Sequence, residues 1–236
     1  MKILAFFATV FAGLFTILYA VFVLILVFTG LSRTVDFFLE KWAVVINFLA
    51  RIDVHTHGLE NIPEGPCLFV FNHQSLFDIP VIQANIGKRI RFGAKKELFY
   101  IPIFGQAMAI VGALKIDRGD RPNAIATLQK ACDRMRVKGE SFILAAEGTR
   151  QKEDHLGEFK SGPFILAIQA QCPVVPIVIT GAYDVLPKSE LFFRLEQSHV
   201  VHMHVLPPIS TAGVKMEERQ AFKNKVREQM AVVFEA

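Results

Sequence analysis

The chain has 236 residues, a net charge of +4 and 52% hydrophobic residues, and its mean hydropathy of +0.38 is high for a soluble protein. That length holds one large domain, or one domain with an appendage. The modest charge comes with no RNA- or DNA-binding motif, which excludes nucleic acid as a partner, and Cys67, Cys132 and Cys172 stand too far apart for a disulfide framework or a CxxC zinc site and suit reduced thiols facing the cytosol.

In chain order, the apolar excess comes first. Between Lys2 and Arg33 lie thirty residues without a charge. As a helix they would reach about 45 Å against roughly 30 Å of bilayer hydrocarbon. The run is about twice the length of a signal-peptide core, and no small-x-small cleavage site follows it. Membrane anchoring is therefore expected, either as a true span or as a hairpin dipping into one leaflet. The next stretch, "TVDFFLEKWAVVINFLAR", places Asp36, Glu40, Asn47 and Arg51 within about 60° of one another on a 3.6-residue helix. Apart from Lys41 the rest of its surface is apolar, as in an interfacial helix with Trp42 at headgroup depth; the alternative is a helix packing on the protein core. Residues 1–51 are thus expected to be an anchor, and 52–236 one globular domain.

"VHTHGLENIPEGP" reads as a polar entrance to that domain. "CLFVFNH" follows, a continuous apolar run of the kind buried on both faces of a sheet. "FDIPVIQANI" reads as helix, "RIRFGAKK" as strand and "IPIFGQAMAIVGAL" as helix. "RPNAIATLQKACDRMRVKG" is an amphipathic helix closed by Gly139. "SFILAAEGTR" is a buried strand entering a turn, and "SGPFILAIQAQ" a helix with Ser161 as N-cap and Pro163 in its first turn. "PVVPIVITG" and "VVHMHVLPPI" read as strands, and residues 215–236 as a terminal amphipathic helix. Strands alternating with helices predict an α/β fold with a central, mostly parallel sheet flanked by helices. Sites in such sheets gather where strands end and helices begin.

Two junctions of that kind carry chemistry. In "FNHQSLFDIP", His73 and Asp78 would lie about 140° apart on one helix and could not meet. They meet only if His73 is in a turn and Asp78 near the helix start, where the S-x-x-D of Ser75 and Asp78 signals a cap. The bland reading is a turn histidine beside a helix-capping carboxylate. The functional one is a general base, with the carboxylate fixing the tautomer and stabilising the imidazolium. Ser75 lacks the G-x-S-x-G elbow that presents a nucleophile, so a hydroxyl on the substrate is the better target. In the second junction, Glu147-Gly148-Thr149-Arg150, Gly148 permits a sharp turn, Thr149 adds a donor and Arg150 offers a fork suited to phosphate. "GKRIRFGAKK" adds five basic residues within ten, suited to anionic lipid or a phosphorylated substrate.

"NHQSLFD" resembles the N-H-x-x-x-x-D motif of the glycerolipid acyltransferases. "AKKELFYIPIFGQAMAIVGALKIDR", "AAEGTR" and "PVVPIVITG" resemble their second, third and fourth blocks, in order and at similar spacing across residues 67 to 181. The resemblance implies a glycerolipid acyltransferase-like fold. It implies that His73, oriented by Asp78, deprotonates the 2-hydroxyl of lysophosphatidic acid for attack on an acyl-CoA or acyl-carrier-protein thioester. Lys95, Arg118, Gly148, Thr149 and Arg150 would form the phosphate site, while Asn72 and Glu147 would hold the motifs in shape. No metal or cofactor is implied beyond the acyl donor as co-substrate. The N-terminal anchor would hold the domain on the cytoplasmic face of the inner membrane, in contact with membrane lipids.

Glycerol 3-phosphate or another lysolipid, such as a lyso-ornithine lipid, remains open as acceptor. Thioester hydrolysis and a purely lipid-binding role remain open as other classes. His55 and His57 in "HTHG" and His202 and His204 in "HMH" are weighed as metal pairs and set aside, since no acidic partner stands at ligand spacing. His155 and His199 suggest nothing.

Overall fold

The structure is a computed structural model and describes residues 2–152 and 155–235. Two helices lead the chain, α1 (Lys2–Phe28) and α2 (Val35–Leu49). They form an antiparallel hairpin: Trp42 Nε1 donates to Thr16 Oγ1 at 3.2 Å, and Tyr19 Oη donates to Phe38 O at 2.6 Å. The rest of the chain builds a seven-stranded sheet from β1 (Ile52–His57), β2 (Leu68–Phe71), β3 (Ile90–Lys95), β4 (Leu114–Ile116), β5 (Ser141–Ala145), β6 (Val174–Thr180) and β7 (His199–Val205). Six helices accompany it: α3 (Asp78–Asn85), α4 (Phe104–Ile110), α5 (Arg121–Lys138), α6 (Gly162–Ala170), α7 (Ala182–Val185) and α8 (Arg219–Phe234).

The strand order is β1-β7-β6-β2-β5-β3-β4. All neighbours pair in parallel except β6 and β7, so β1 and β7 run against the other five strands. The expected mostly parallel α/β sheet is present. β2 lies at its centre, and Leu68, Phe69 and Val70 are fully buried. Complete burial of such side chains stabilises by about 1.5–3 kcal/mol each. One face carries Phe69, Phe71, Phe77, Val81 and Ile82 with residues of the N-terminal hairpin; the other carries Leu68, Val70, Phe164, Leu166 and Phe222. From β2 the chain crosses by α3 to β3, beyond β5 in the sheet. From β5 it crosses by α6 to β6, on the opposite side of β2. The two crossovers run past each other on opposite faces, α3 on one and α6 on the other, so the carboxyl ends of β2 and β5 lie where such sheets gather their sites.

Three expectations change. "DVHTH" is the edge strand β1 and no mere linker: Asp53, His55 and His57 are exposed and alternate with half-buried Ile52, Val54 and Thr56, the pattern of a strand wet on one face. The end of "IPIFGQAMAIVGAL" leaves the helix and begins β4, which is too short to show its own periodicity. The polar stripe of α2 faces the protein. Asn47 is buried and donates Nδ2 to Pro80 O at 3.2 Å, Asp36 pairs with Arg89 and Arg91, and Arg51 lies beyond the helix at φ 55°. Trp42 is bound to α1 instead of standing free at headgroup depth.

The outward faces are apolar in consequence. Ile3, Phe7, Phe11, Leu14, Leu18, Ile25 and Phe28 of α1 are exposed, as are Phe37, Val44 and Phe48 of α2. At about 100° per residue each set falls within one stripe. The α1 helix is long and apolar enough to cross a membrane, yet its other side is packed: Ala12 joins the core, and Phe193 N donates to Thr9 Oγ1 at 3.2 Å.

Candidate active site

The β2 strand ends at Phe71, and Asn72 extends it by one rung. Its side-chain amide donates to Ile179 O at 2.8 Å and accepts from Ile179 N at 2.7 Å, so the carboxamide copies a backbone pair with β6. The chain then turns, and His73 is clamped on both sides. Its N–H donates to Glu147 Oε2 at 2.8 Å, and its carbonyl accepts from Gln151 N at 2.8 Å. The turn after β2 is thereby built onto the turn after β5.

His73 Nδ1 lies 2.8 Å from Asp78 Oδ2, and the same oxygen accepts from Gln74 N at 2.8 Å and Ser75 N at 3.0 Å. Asp78 begins α3 and is fully buried, while the His73 side chain is 15% exposed. A carboxylate accepts only, so Nδ1 carries the proton and Nε2 has its lone pair free. Half of the expected capping box forms: the carboxylate reaches back to Ser75 N, but Ser75 Oγ turns elsewhere. That hydroxyl donates to Leu186 O at 3.1 Å and accepts from Phe77 N at 3.3 Å, which occupies it and removes it as a nucleophile. Asp78 is thus both a helix-start carboxylate and the partner of His73.

The second turn lies one strand away. Gly148 adopts φ +73°, a conformation open to glycine, and an added Cβ would press on Lys160 Cγ at 3.2 Å. Burial pushes the Glu147 carboxyl up to about 7, against the backbone N–H groups, His73's first, that favour its charged form; neighbouring Asp78 adds to the rise. Arg150 is half-buried, and desolvation lowers its pKa while Asp78 opposes the shift. Among the described residues its guanidinium has no hydrogen bond or ion pair, and such a partly buried cation suits an anionic ligand. Thr149 is exposed on the same turn.

Lys95 ends β3, two strands from β2, and makes only a loose, exposed pair with Glu97 at 3.6 Å. Arg118 follows β4 one strand further on, and burial lowers its pKa. At about 4.8 Å per strand these cations stand roughly 10 and 14 Å along the sheet from His73, so Arg150 is the nearer one. Most of the basic cluster has partners within the protein, although only Arg91 is buried and Arg89 and Lys95 stay exposed. Lys88 holds the carbonyls of Pro63, Glu64 and Gly65, Arg89 and Arg91 hold Asp36, and Lys96 holds Asp117 at 2.8 Å.

Lys188 escaped the sequence reading. Its Nζ donates to Arg150 O at 2.6 Å and reaches Thr149 Oγ1 at 3.5 Å, pinning the turn from the loop after α7. Nothing local in "VLPKSE" signals this. The two histidine pairs set aside above lie side by side on β1 and β7. Cys67, Cys132 and Cys172 are free and buried, and burial pushes the Cys172 thiol up to about 12.

Comparisons with known proteins bear on the family and the fold. The family described as Acyltransferase matches residues 53–180. The chloroplastic 1-acyl-sn-glycerol-3-phosphate acyltransferase BAT2 of Brassica napus is 34% identical over 69% of this chain and 47% of its own length. The 1-acyl-sn-glycerol-3-phosphate acyltransferase of Saccharomyces cerevisiae is 33% identical over 79% of this chain and 61% of its own. The chain thus spans only about half to three fifths of these relatives. A crystal structure of the 1-acyl-sn-glycerophosphate (LPA) acyltransferase PlsC of Thermotoga maritima superposes with a TM-score of 0.84 at 27% identity, covering 99% of this chain and 94% of that one. With the family's pattern running from β1 to the end of β6 and a fold shared over nearly its whole length, this chain belongs to the acyltransferase family.

Proposed function

We propose that the chain transfers a fatty acyl group from the thioester of acyl-CoA or acyl-carrier protein to the 2-hydroxyl of 1-acyl-sn-glycerol 3-phosphate, giving phosphatidic acid. The observation that carries the reading is the 2.8 Å contact of His73 Nδ1 with buried Asp78, which leaves Nε2 available one turn from Arg150, whose guanidinium has no hydrogen bond or ion pair among the described residues. The relatives, named as 1-acyl-sn-glycerol-3-phosphate acyltransferases, support the acceptor.

In this mechanism His73 Nε2 takes the 2-hydroxyl proton as that oxygen attacks the thioester carbonyl carbon. The C–S bond then breaks, and the departing sulfur takes the proton from the imidazolium. An ester and a thiol form with no net proton change. The thioester is already activated, so the reaction is written without a metal, a cofactor or an acyl-enzyme. Arg150 binds the phosphate on the adjacent glycerol carbon, with Gly148 and Thr149 shaping its cradle and Lys95 and Arg118 lending longer-range charge. Glu147 and Asn72 hold the two turns together.

Residues 1–51 serve as the anchor and 52–236 as the catalytic unit. The exposed apolar stripes of α1 and α2 face lipid, and the hairpin keeps the site at the surface from which a lipid acceptor is drawn. The free cysteines suit a domain facing the reducing cytosol, and the anchor is proposed to lie in the inner membrane. The test offers labelled palmitoyl-CoA and palmitoyl-carrier protein with lysophosphatidate, glycerol 3-phosphate and an uncharged lysolipid. Labelled phosphatidic acid from lysophosphatidate supports the reading. Transfer only to the uncharged acceptor would overturn the phosphate site, and thiol release without an acceptor would make the protein a hydrolase.

A further inference from the structure

Two His-x-His pairs, separated by more than a hundred residues, meet in register. The β1 and β7 strands are parallel, with His55 opposite His202 and His57 opposite His204. Side chains alternate along a strand. Val201, Met203 and Val205 point into the core shared with the N-terminal hairpin, so His202 and His204 emerge on the opposite face. His55 and His57 are exposed there, and His202 and His204 are half-buried. The result is a two-by-two array of imidazoles at the sheet's edge.

The rings are already close. His57 and His204 stack with centroids 4.6 Å apart, and His55 and His202 stand 5.3 Å apart. His202 Nδ1 and His57 Nε2 are separated by 3.5 Å. One ligand nitrogen from each of His57, His202 and His204 lies within 4.8 Å of the others. Zinc–imidazole bonds of about 2.0–2.1 Å in tetrahedral geometry require nitrogens about 3.3 Å apart. Side-chain rotations of about an ångström close that gap, led by the exposed ring of His57, with the half-buried His202 and His204 adjusting less. His55 is engaged by Asp53, with Nε2 to Oδ2 at 3.2 Å, which leaves it a reserve ligand.

We propose that His57, His202 and His204 form a binding site for a divalent transition metal of the zinc class. Imidazole-only donors favour zinc, nickel and copper over magnesium or calcium. Three protein ligands leave a fourth position for water or an outside donor. The site is two to three strands from β2 in the sheet and independent of the acyl-transfer reading. Its physical effect is a cross-link: β1 is an edge strand held in the sheet by β7 alone and carries the connection from the α1–α2 hairpin. Metal binding would fasten that strand, and the anchor behind it, to the sheet.

The test uses full-length, tag-free protein in detergent, stripped with chelator and titrated with zinc chloride against a chromogenic competitor. One equivalent should bind, and His57→Gln or His204→Gln should weaken it by about tenfold or more, each variant remaining folded because the residues are not core. Zinc at about a hundred times its Kd should raise the Tm by roughly 5–10 °C. His155→Gln, outside the cluster, should change neither. Absence of stoichiometric binding, binding unaltered in the His57→Gln/His204→Gln double variant, or equal loss in His155→Gln would each overturn the site.

Discussion

Asp78 joins a structural and a chemical duty, and the Asp78→Asn variant separates them. Oδ2 accepts from His73 Nδ1, Gln74 N and Ser75 N, whereas Oδ1 has no hydrogen-bond partner among the described residues. An asparagine oxygen placed where Oδ2 stands keeps all three donors satisfied and leaves the new NH2 where no partner is lost. The turn, the helix start and the His73 tautomer therefore survive, and only the charge is removed. A unit charge about 4 Å from the imidazolium is worth about 4 kcal/mol at an effective dielectric near 20. With the proton half to fully transferred in the transition state, the loss is about 2–4 kcal/mol, or roughly 30- to 1,000-fold in kcat. Stability should change little, because relief of the buried charge offsets one unpaired NH2 of about 1–3 kcal/mol.

The assay is thiol release from palmitoyl-CoA with saturating lysophosphatidate, paired with thermal unfolding of the same preparations. The expected result is a fall in kcat with KM for lysophosphatidate and Tm nearly unchanged. Asp78→Ala, which orphans three N–H donors, should lose both activity and several degrees of Tm. A folded Asp78→Asn protein retaining more than about a third of wild-type kcat would refute the reasoning and leave Asp78 as a helix-start carboxylate only.

Other outcomes follow from the same geometry. Because the folded pKa of Glu147 is raised from 4.5 to about 7, the folded state holds this proton more tightly, so stability falls as pH rises from about 4.5 to 7, by about 3 kcal/mol. Glu147→Gln should remove that decline, read as the difference between wild-type and variant Tm across the window. Arg150→Ala should raise KM for lysophosphatidate about 10- to 100-fold while leaving Tm unchanged, since no described residue loses a partner. Gly148→Ala forces a side chain into φ +73° and should cost about 1–2 kcal/mol, a Tm loss of roughly 2–8 °C. Phe37→Ser with Phe48→Ser, at positions 55% and 78% exposed, should weaken vesicle flotation by about 10²–10⁴-fold without lowering Tm, if each ring buries about 1.5–3 kcal/mol in lipid.

What the sequence revealed was local or periodic. The β2, β5 and β6 strands announce themselves because strands buried on both faces read as unbroken apolar runs. The His73–Asp78 pairing was legible because capping signals placed the helix start between the two residues. The role of Glu147 in holding its turn was also visible, though not that it reaches the His73 backbone. The rest depended on distant partners. Nothing near Arg91 points to Asp36, 55 residues earlier, and nothing near Lys188 points to Arg150, 38 residues away. The α2 helix misled for a related reason: a polar stripe on an apolar helix suggests an outward face, yet here α3 and β3 supply the buried partners and lipid-like surface is left outside. The β1 strand hid because an edge strand alternates with water and resembles a polar connector.

The central claim is that His73 itself takes the proton from the acceptor hydroxyl. Its most direct test compares wild type with His73→Ala, measuring both labelled phosphatidic acid formation and equilibrium binding of lysophosphatidate in the same detergent. The account predicts a fall in turnover of about 10²–10⁴-fold with lysophosphatidate affinity kept within a few fold. Turnover within tenfold of wild type in a folded His73→Ala protein would contradict it.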